Sequence, residues 1–367
     1  MNANTSVITD LDLNVVDPKY DLLVFIGRMQ PFHAEHQRVI DIALTKAKNV
    51  LVLVGSAGSA RNIRNPWSYV ERKMMIKSCY TDADNLSIEP IFDKTYNDDA
   101  WVKQIQEIVK KHILKIMNPD GFHINGVKDA HVGLIGCAKD HTSFYLKLFP
   151  QWDSVNVDLQ SLIHATGIRD PFFKGNLQKH EVSGGLLPAP VANYLFDYYK
   201  DTFEYSYIAA EYEFIRNYKK QWEAAPYPVK HVTVDSILTQ SGHVLLVKRK
   251  SSPGKGLWAL PGGHLNEYEK IEDGAIRELR EETLIKVPEK VLRGSIVRRE
   301  VYDDPHRSNL GRVITHAYHI KLPDSIDFPL VKGSDDAEKA KFVPLSDLKE
   351  DQFFDDHYAI LQHILGL

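Results

Sequence analysis

The chain has 367 residues, more than a single hydrophobic core usually organises, so two domains are expected. Its 43% hydrophobic and 26% charged residues are typical of a soluble globular protein. The formal net charge of −4 excludes the strongly basic surface on which general binding to nucleic acids or anionic membranes depends. Any phosphate binding must therefore come from a few well-placed side chains.

The sequence features that report on localisation point to the cytoplasm. Cys79 and Cys137 are the only cysteines, which excludes a disulfide framework and fits a reducing compartment. Residues 1–17 are polar and acidic, without the basic start and apolar run of a signal peptide. No apolar run approaches the roughly 18 residues that span a bilayer. We expect a cytoplasmic protein that binds neither membrane nor nucleic acid; its oligomeric state, a homo-oligomer included, stays open.

From residue 21 onwards, short apolar runs alternate with longer amphipathic ones. Five runs have the length and composition of strands buried on both faces, at residues 22–26, 50–54, 86–91, 132–135 and 155–159. Four runs have helical spacing, at residues 37–48, 68–78, 100–117 and 142–148. This alternation predicts an α/β domain, a doubly wound parallel sheet with helices on both faces. Ligands of such sheets bind outside the carboxyl ends of the strands.

A helical region rich in Tyr and Phe, at residues 191–222, closes this half. We interpret most of its aromatic side chains as core or interdomain packing. Residues 224–228, AAPYP, contain two prolines and predict a linker between a domain at 1–223 and a second domain at 229–367. Because few contacts should cross such a linker, each domain is expected to fold without the other.

The second half predicts a mixed α+β domain. Runs 231–238 and 243–249 alternate between apolar and polar residues around a Gln-Ser-Gly turn at 240–242, which predicts a hairpin. Strand-like runs at 295–301 and 315–320 accompany one strong helix at 271–282. The change from long strand–helix alternation to a hairpin supports a domain boundary at the linker.

A candidate phosphate site follows the first predicted strand, at residues 27–36, GRMQPFHAEH. Gly27 lets the backbone approach a ligand closely, and a helix starting after Pro31 would present free N–H groups. His33 and His36 are three residues apart, so they share one face of that helix. Together with Arg28 they are suited to neutralising a triphosphate, although two histidines at this spacing also occur by chance.

This stretch resembles the HxGH signature of the nucleotidyltransferase superfamily, and within it the NMN adenylyltransferases of the archaeal type. Three further stretches agree, at residues 65–72, 97–102 and 163–169, the last being similar to the ISxTxxR signature. The resemblance spans roughly residues 20–190. Glu35 stands where the signature has glycine, and His164 where it has serine. Glu35 therefore brings a side chain, and a possible extra charge, close to the phosphate site.

The resemblance implies adenylyl transfer from ATP to NMN, which gives NAD and pyrophosphate. It assigns His33, His36 and Arg169 to stabilising the triphosphate, and Mg²⁺ would accompany the ATP. The remaining residues expected to bind substrate are Gly27, Arg28, Asn65, Trp101, Lys139, Asp140 and Thr166. A solvated surface pair is the alternative for Lys139 and Asp140. Another phosphate acceptor, such as phosphopantetheine or a flavin, stays open, although Trp101 favours a nicotinamide ring.

The second half contains an acidic helix with a distinctive spacing. At about 100° per residue, Glu278, Glu281 and Glu282 fall within one arc of the helix, where their charges repel unless a cation offsets them. Mg²⁺, which prefers carboxylate oxygen and water, is a natural partner. A solvated acidic face is the alternative, but the fixed spacing back to Glu269 and Gly263 argues against it.

This pattern resembles the Nudix box, Gx5Ex7REUxEExGU, with Leu284 in the position of its last glycine. Because that glycine normally ends the helix, the helix end is expected to differ here. The resemblance implies a metal site of Gly263, Glu278, Glu281 and Glu282, with Glu278 also catalytic, holding Mg²⁺ or Mn²⁺. Glu338 lies in a late acidic loop similar to that of ADP-ribose hydrolases and is expected to act as base or extra metal ligand. Arg312 is expected to contact phosphate or ribose, and the alternative is that it is an exposed charge on a loop.

Together the two halves resemble a family of bifunctional proteins that make NAD and hydrolyse ADP-ribose to AMP and ribose 5-phosphate. The expected small-molecule partners are ATP, NMN, NAD and ADP-ribose. The alternative for the second domain is a non-catalytic ADP-ribose sensor that controls the first. Sensors of that kind usually lose acidic residues of the box, and none is lost here.

Overall fold

The computed structural model describes residues 18–117, 130–137, 148–160, 164–183, 185–333 and 337–367. The first half is built on five parallel strands, in the spatial order β3-β2-β1-β4-β5. Their bounds are β1 Tyr20–Gly27, β2 Ala47–Val54, β3 Leu86–Pro90, β4 Val132–Gly136 and β5 Asp153–Asn156. The order reverses direction between β1 and β4, as the doubly wound prediction requires, and this is where such sheets bind ligands.

Helices cover both faces of this sheet. They are α1 Ala34–Lys46, α2 Tyr69–Lys77, α3 Asp98–Met117, α4 Ala165–Phe173, α5 Lys179–Val182, α6 Ala189–Asn193 and α7 Phe203–Lys220, with a π-helical turn at Tyr194–Tyr198 and a 3₁₀ turn at Tyr199–Asp201 between the last two. Alternate residues of β1 pack on opposite sides: Leu23 and Phe25 join α1 in one core, and Leu22 and Val24 join α3 in the other. Burial on both faces explains why β1 and β2 are almost uninterrupted apolar runs.

The second half is a mixed sheet in the order β10-β11-β6-β7-β12, with β8 paired to β7 and β9 to β6. Its β6–β11 pairing is parallel, and the pairings of β6 with β7 and of β7 with β12 are antiparallel. The strands are β6 Lys230–Gln240, β7 His243–Arg249, β8 Trp258–Ala259, β9 Gly262–His264, β10 Ile296–Tyr302, β11 Arg312–Lys321 and β12 Ala337–Pro344. The helices are α8 Ile271–Thr283, α9 Glu289–Gly294 and α10 His357–Leu365, with 3₁₀ turns at Leu345–Asp347 and Glu350–Gln352.

This sheet lies between α8 and α10. Leu238 and Leu245 pack with α8, whereas Ile237 and Leu246 pack with α10. The predicted hairpin is confirmed, because Thr239 pairs with Val244 across a turn whose Ser241 and Gly242 both have positive φ. Opposed helices on alternating strand residues make this a second, separate core.

Several predicted elements differ from the structure. The run 155–159 was expected to be buried on both faces, but β5 covers Asp153–Asn156 at the sheet edge and is largely exposed. Most of the predicted helix at 142–148 lies outside the described residues. The strand β12 and the helix α10 were not predicted at all. In the parts of the chain that are described, no helix has the length and hydrophobicity to cross a membrane.

The expectation that few contacts cross the linker is wrong. Arg64 of the first half donates to the carbonyl oxygens of His306 and Ser308 in the second half. The N–H of Gly254 donates to the buried carboxylate of Glu211 on α7, at 3.1 Å. The two halves therefore meet in a hydrogen-bonded interface, and α7 takes part in it.

Candidate active sites

The first site is a cavity of about 520 Å³ at the carboxyl ends of β1 and β2, here called the histidine cavity. It contains most of the residues predicted for the first site. Its lining includes Gly27, Arg28, His33, His36, Trp101, His164, Thr166 and Arg169. The fold thus brings signatures to one place that lie far apart in the sequence, from Gly27 to Arg169.

The two histidines lie against each other at the start of α1. His33 is the N-cap residue, with extended backbone, and its ring stacks on that of His36 with centroids 3.7 Å apart. His33 is 2% exposed, whereas His36 is only partly buried. Because His33 is the N-cap of α1, the positive end of the helix dipole lies next to the imidazoles, and both favour an anion there.

Arg169 on α4 completes this arrangement. Its guanidinium donates to the carbonyl oxygen of Gln30 at 2.6 Å and to the hydroxyl of Thr166 at 3.0 Å. These bonds hold a buried, permanently charged group beside the loop that carries the histidines. The site therefore holds positive charge beside the two histidines, which suits an anionic ligand.

Glu35 does not bring an unpaired charge to the cavity. Its side chain is 8% exposed, and its carboxylate accepts a hydrogen bond from Arg38 at 3.1 Å, one helical turn along α1. Because this pair lies on the helix that carries the histidines, the acidic side chain is neutralised locally. The departure from the signature is compensated within α1.

Arg72 is an important residue that the sequence analysis did not single out. It is fully buried and donates to the carbonyl oxygens of Arg28, Gly55 and Ser56 at 2.6, 2.6 and 3.1 Å. Burial lowers its pKa to about 10, so it stays charged at neutral pH. Arg72 thereby ties together the two loops that follow β1 and β2. The sequence carries no signal for this role, because its partners are backbone atoms.

Three other residues predicted for the first site do not line the histidine cavity as it is described. Asn65 lines a separate cavity of about 220 Å³ between the two halves, together with Arg64, Arg307 and Glu350. Burial raises the pKa of Glu350 to about 7. Lys139 and Asp140, which were expected to contact ligand, lie outside the described residues.

The second site is a cavity of about 260 Å³, here called the carboxylate cavity, which opens between β6, β9 and α8. Glu282 lines it and accepts the N–H of Gly262 at 2.9 Å. Glu278 lies against Gly263, where an added β-carbon would come within 2.7 Å of its carboxylate. Burial raises the pKa of Glu282 to about 8 and also raises that of Glu278.

Arg277 holds the outer part of the acidic helix. It donates to Glu269 at 2.8 Å and to both Glu278 and Glu281 at 2.9 Å. Glu281, whose side chain is 60% exposed, therefore lies at the rim. Among the described residues, no group of three or more His, Cys, Asp and Glu side chains is arranged as a metal site. With Arg277 as a partner, Glu281 is held outside the immediate surroundings of Glu282.

The remaining pair of carboxylates still suits a divalent cation. Glu278 and Glu282 are two partly buried acids whose charged forms are disfavoured by desolvation, and a bound cation would reverse that penalty. Carboxylate oxygens are the donor chemistry of Mg²⁺ and Mn²⁺, and Gly263 lies directly against Glu278.

Two residues behind the cavity were missed from sequence. Asp235 on β6 is buried and accepts the hydroxyl of Thr315 at 2.5 Å, and burial raises its pKa. His357, whose pKa burial lowers to about 3, accepts the N–H of Leu260 through Nδ1 at 2.8 Å. Both support the segment that leads to Gly262 and Gly263. Only the fold brings them there, since they lie far away in the sequence.

Leu284 ends α8 in the left-handed conformation, with φ 46° and ψ 30°, and its N–H donates to the carbonyl of Arg280 at 2.9 Å. The expectation of a different helix end is therefore wrong. The leucine adopts the geometry that the Nudix glycine provides, at a cost in backbone strain.

Glu338 and Arg312 occupy peripheral positions. Glu338 is exposed on β12, at a register shift between Ala337 and Lys339, and bulges of this kind often redirect a side chain near a site. Arg312 is bonded to the carbonyl of Asp303 and forms an ion pair with its carboxylate at 3.6 Å. Arg312 is not among the described residues that line the carboxylate cavity.

Comparisons with known proteins match the two halves of the chain to two different families. The family model of the NUDIX domain matches residues 229–364, and that of the cytidylyltransferase-like family matches residues 24–127. A bifunctional NMN adenylyltransferase/ADP ribose pyrophosphatase from Francisella tularensis, solved in complex with AMP and a manganese ion, is 34% identical and superposes with a TM-score of 0.84. That match covers 95% of this chain and 99% of the other. This chain belongs to the same bifunctional family.

Curated relatives match each half of this bifunctional protein separately. A nicotinamide/nicotinic acid mononucleotide adenylyltransferase of Acinetobacter baylyi is 40% identical over 162 residues, which are 43% of this chain and 79% of the relative. An ADP-ribose pyrophosphatase of Methanocaldococcus jannaschii is 37% identical over 131 residues, 36% of this chain and 70% of the relative. The predicted family and fold class are confirmed, and the roles of individual residues stay predictions.

Proposed function

We propose that this chain transfers the adenylyl group of ATP to NMN in the histidine cavity, and hydrolyses ADP-ribose to AMP and ribose 5-phosphate in the carboxylate cavity. Family membership supports both reactions, and the pairing rests on one observation: His33, His36 and Arg169 line one cavity, whereas Gly263 and Glu282 line the other. Domains at 1–223 and 229–367, joined by 224–228, and a cytoplasmic location are part of the proposal.

In the first reaction the phosphate of NMN attacks the α-phosphorus of ATP, and pyrophosphate leaves. Such transfers depend on positioning and on charge neutralisation rather than on covalent chemistry by the protein. His33, His36 and Arg169 would stabilise the negative charge of the triphosphate as the transition state forms. Trp101 lines the same cavity and offers a face for the nicotinamide ring.

The His36→Ala variant tests this assignment. We expect adenylyl transfer to fall at least about a hundredfold, because a preorganised group aimed at developing charge is lost. ADP-ribose hydrolysis should hardly change. The exposed His180, replaced in the same way, is the matched control. Near-normal NAD synthesis by a folded His36→Ala protein would refute the role.

In the second reaction Glu278, Glu282 and the carbonyl of Gly263 would hold a divalent cation, with Glu281 and Glu338 joining from the rim. We propose Mg²⁺, with Mn²⁺ as the alternative. When bound, the cation supplies an activated water and offsets charge on the pyrophosphate. The protein groups hold those oxygens in place: Arg277 orients Glu278, and the N–H of Gly262 orients Glu282.

Replacing Glu282 by Gln preserves size and helix propensity but removes a charged ligand. We expect hydrolysis to fall by two or more orders of magnitude, with weaker apparent affinity for Mg²⁺, while NAD synthesis persists. Glu267→Gln, at an exposed position of the same box, is the control. Hydrolysis rates that depend on Mg²⁺ in the same way in parent and Glu282→Gln would sink the metal-site assignment.

Two alternatives are separated by the choice of substrate. If phosphopantetheine or a flavin phosphate is a better acceptor than NMN in steady-state kinetics with ATP, the first assignment is wrong. If ADP-ribose binds and alters NAD synthesis without being cleaved in the presence of Mg²⁺, the second domain is a sensor. All acidic residues of the box are present, which favours catalysis.

A further inference from the structure

A helix of the first half contributes to the site of the second. Tyr218 lies on α7, before the linker, yet it lines the carboxylate cavity together with Gly263 and Glu282. The helix is held firmly, because Glu211 accepts the N–H of Gly254 and the hydroxyl of Tyr212 donates to the carbonyl of Ile63 at 2.9 Å. Tyr218 is therefore part of the wall of this cavity.

Two rings of the cavity wall, Tyr218 and His264, are in contact with two neighbouring rings, Trp222 and His231, and the four are here called the aromatic cluster. The ring of His231 lies 5.8 Å from Tyr218, 5.2 Å from Trp222 and 5.6 Å from His264, centroid to centroid. The hydroxyl of Tyr218 contacts Nε2 of His231 at 3.4 Å. Neighbours on three sides thus set the orientation of the His231 ring.

The aromatic cluster is open to solvent, unlike a packing core. Trp222 is 43% exposed, Tyr218 is partly exposed and His264 is exposed, while His231 behind them is buried. An aromatic surface that is supported from behind and exposed in front is suited to stacking against a flat ligand ring. Packing between α7 and the sheet alone would bury these faces.

The position of the cluster relative to the carboxylates is fixed by strand register. On β9, Gly262 pairs with Asp235, Gly263 with Val234 and His264 with Thr233 of β6. The cluster therefore begins one residue beyond Gly263, where the proposed cation and diphosphate would lie. Another part of the lining contains Arg249, Arg307 and Asp355. The ring of Phe354 also lies there, but the guanidinium of Arg249 covers one of its faces, 4.0 Å from the centroid, so this part suits ribose or phosphate better than a base.

We propose that Tyr218 and Trp222 form the base-binding wall of the hydrolase site, stacking on the purine of its nucleoside diphosphate substrate. This inference rests on the proposed hydrolysis of ADP-ribose and adds a specificity element that the Nudix domain does not itself contain. Stacking on an aromatic side chain strengthens base binding about tenfold or more.

The test uses the full-length chain with Tyr218→Ala, Tyr218→Phe and Trp222→Ala. We expect both alanine variants to raise KM for ADP-ribose about tenfold with kcat within about twofold, and Tyr218→Phe to behave like the parent because the ring is kept. Inhibition by AMP should weaken by the same factor, whereas inhibition by ribose 5-phosphate, which has no base, should not change. Adenylyl transfer serves as the control for folding.

Unchanged KM and unchanged AMP inhibition in Tyr218→Ala and Trp222→Ala would overturn the proposal, as would equal weakening toward AMP and ribose 5-phosphate. A parent that does not cleave ADP-ribose would instead refute the proposed hydrolysis. In that case AMP binding is followed by quenching of Trp222 emission, taken as the difference between the parent and Trp222→Phe. If AMP produces no such quenching, the base-binding wall is also wrong.

Discussion

At the left-handed end of α8, we expect glycine to be more stabilising than alanine, which is the reverse of their usual order in a helix. In a right-handed helix, glycine is about 1 kcal/mol less stabilising than alanine. Leu284 has φ 46° and ψ 30°, a region where a β-carbon costs about 1–2 kcal/mol. We therefore expect Leu284→Gly to be more stable than Leu284→Ala, because both lose the leucine side chain and differ only in this strain.

The magnitude follows from two opposing contributions. Relief of strain favours glycine by about 1–2 kcal/mol, and the greater freedom of glycine in the unfolded chain opposes it by about 0.5–1 kcal/mol. The net preference should be about 0.5–1 kcal/mol. Arg280 provides the reference within the same helix, since it is exposed and both of its variants lose the same ion pair to Glu289. There, Arg280→Ala should be more stable than Arg280→Gly by about 1 kcal/mol.

The free energy of unfolding is measured by urea denaturation, followed by tryptophan fluorescence and by loss of ADP-ribose hydrolysis, because two domains need not unfold together. The result that would refute the reasoning is an alanine preference of similar size at both positions. That outcome would mean that residue 284 is not held in the left-handed conformation in solution.

Two further predictions concern the interface between the halves. Burial raises the pKa of Glu350 to about 7, above the value of about 4.3 in the unfolded chain. Between these two pH values the folded protein keeps the proton and the unfolded chain loses it. The free energy of unfolding therefore falls as pH rises from about 4.3 to about 7. The Glu350→Gln variant has no such proton to lose, so we expect it to be more stable than the parent by up to about 3 kcal/mol at pH 8. Similar urea midpoints of the two proteins at pH 8 would contradict the burial argument. Tyr96→Phe removes the hydroxyl that donates to the buried Asp356 and should lower the free energy of unfolding by about 2 kcal/mol. The measurement is the temperature at which hydrolase activity is lost, which should fall. An unchanged temperature would show that this hydrogen bond contributes nothing to stability.

Elements with a strong periodic signal were predictable from sequence. The central strands β1 and β2 are apolar throughout because both faces are covered, and α8 carries both a buried stripe and the Nudix spacing. The apolar run at 155–159 was misleading, because the edge strand β5 ends at Asn156 and solvent covers much of it. The helix α10 was missed although Ile360, Leu361 and Ile364 have helical spacing, so it could have been found.

The residues of the two sites also differ in whether the sequence carries a signal for them. His33, His36 and Glu282 were predicted because short signatures contain them, and the structure places them in the cavities. Arg72 was not singled out, because it acts through backbone carbonyls that no side-chain pattern reveals. Contacts such as that of Tyr96 with Asp356, 260 positions apart, depend on how two complete domains meet.

That last contact has a consequence for the exchange of parts between relatives. The carboxylate of Asp356 accepts two hydrogen bonds from the guanidinium of Arg307, each at 2.9 Å. It accepts a third from the hydroxyl of Tyr96. A chimaera that joins this second domain to an adenylyltransferase without an equivalent tyrosine would leave an acceptor buried and only partly satisfied. A domain exchange would therefore have to transfer Tyr96 and Asp356 together, even though the proposed linker at 224–228 is a simpler point of fusion.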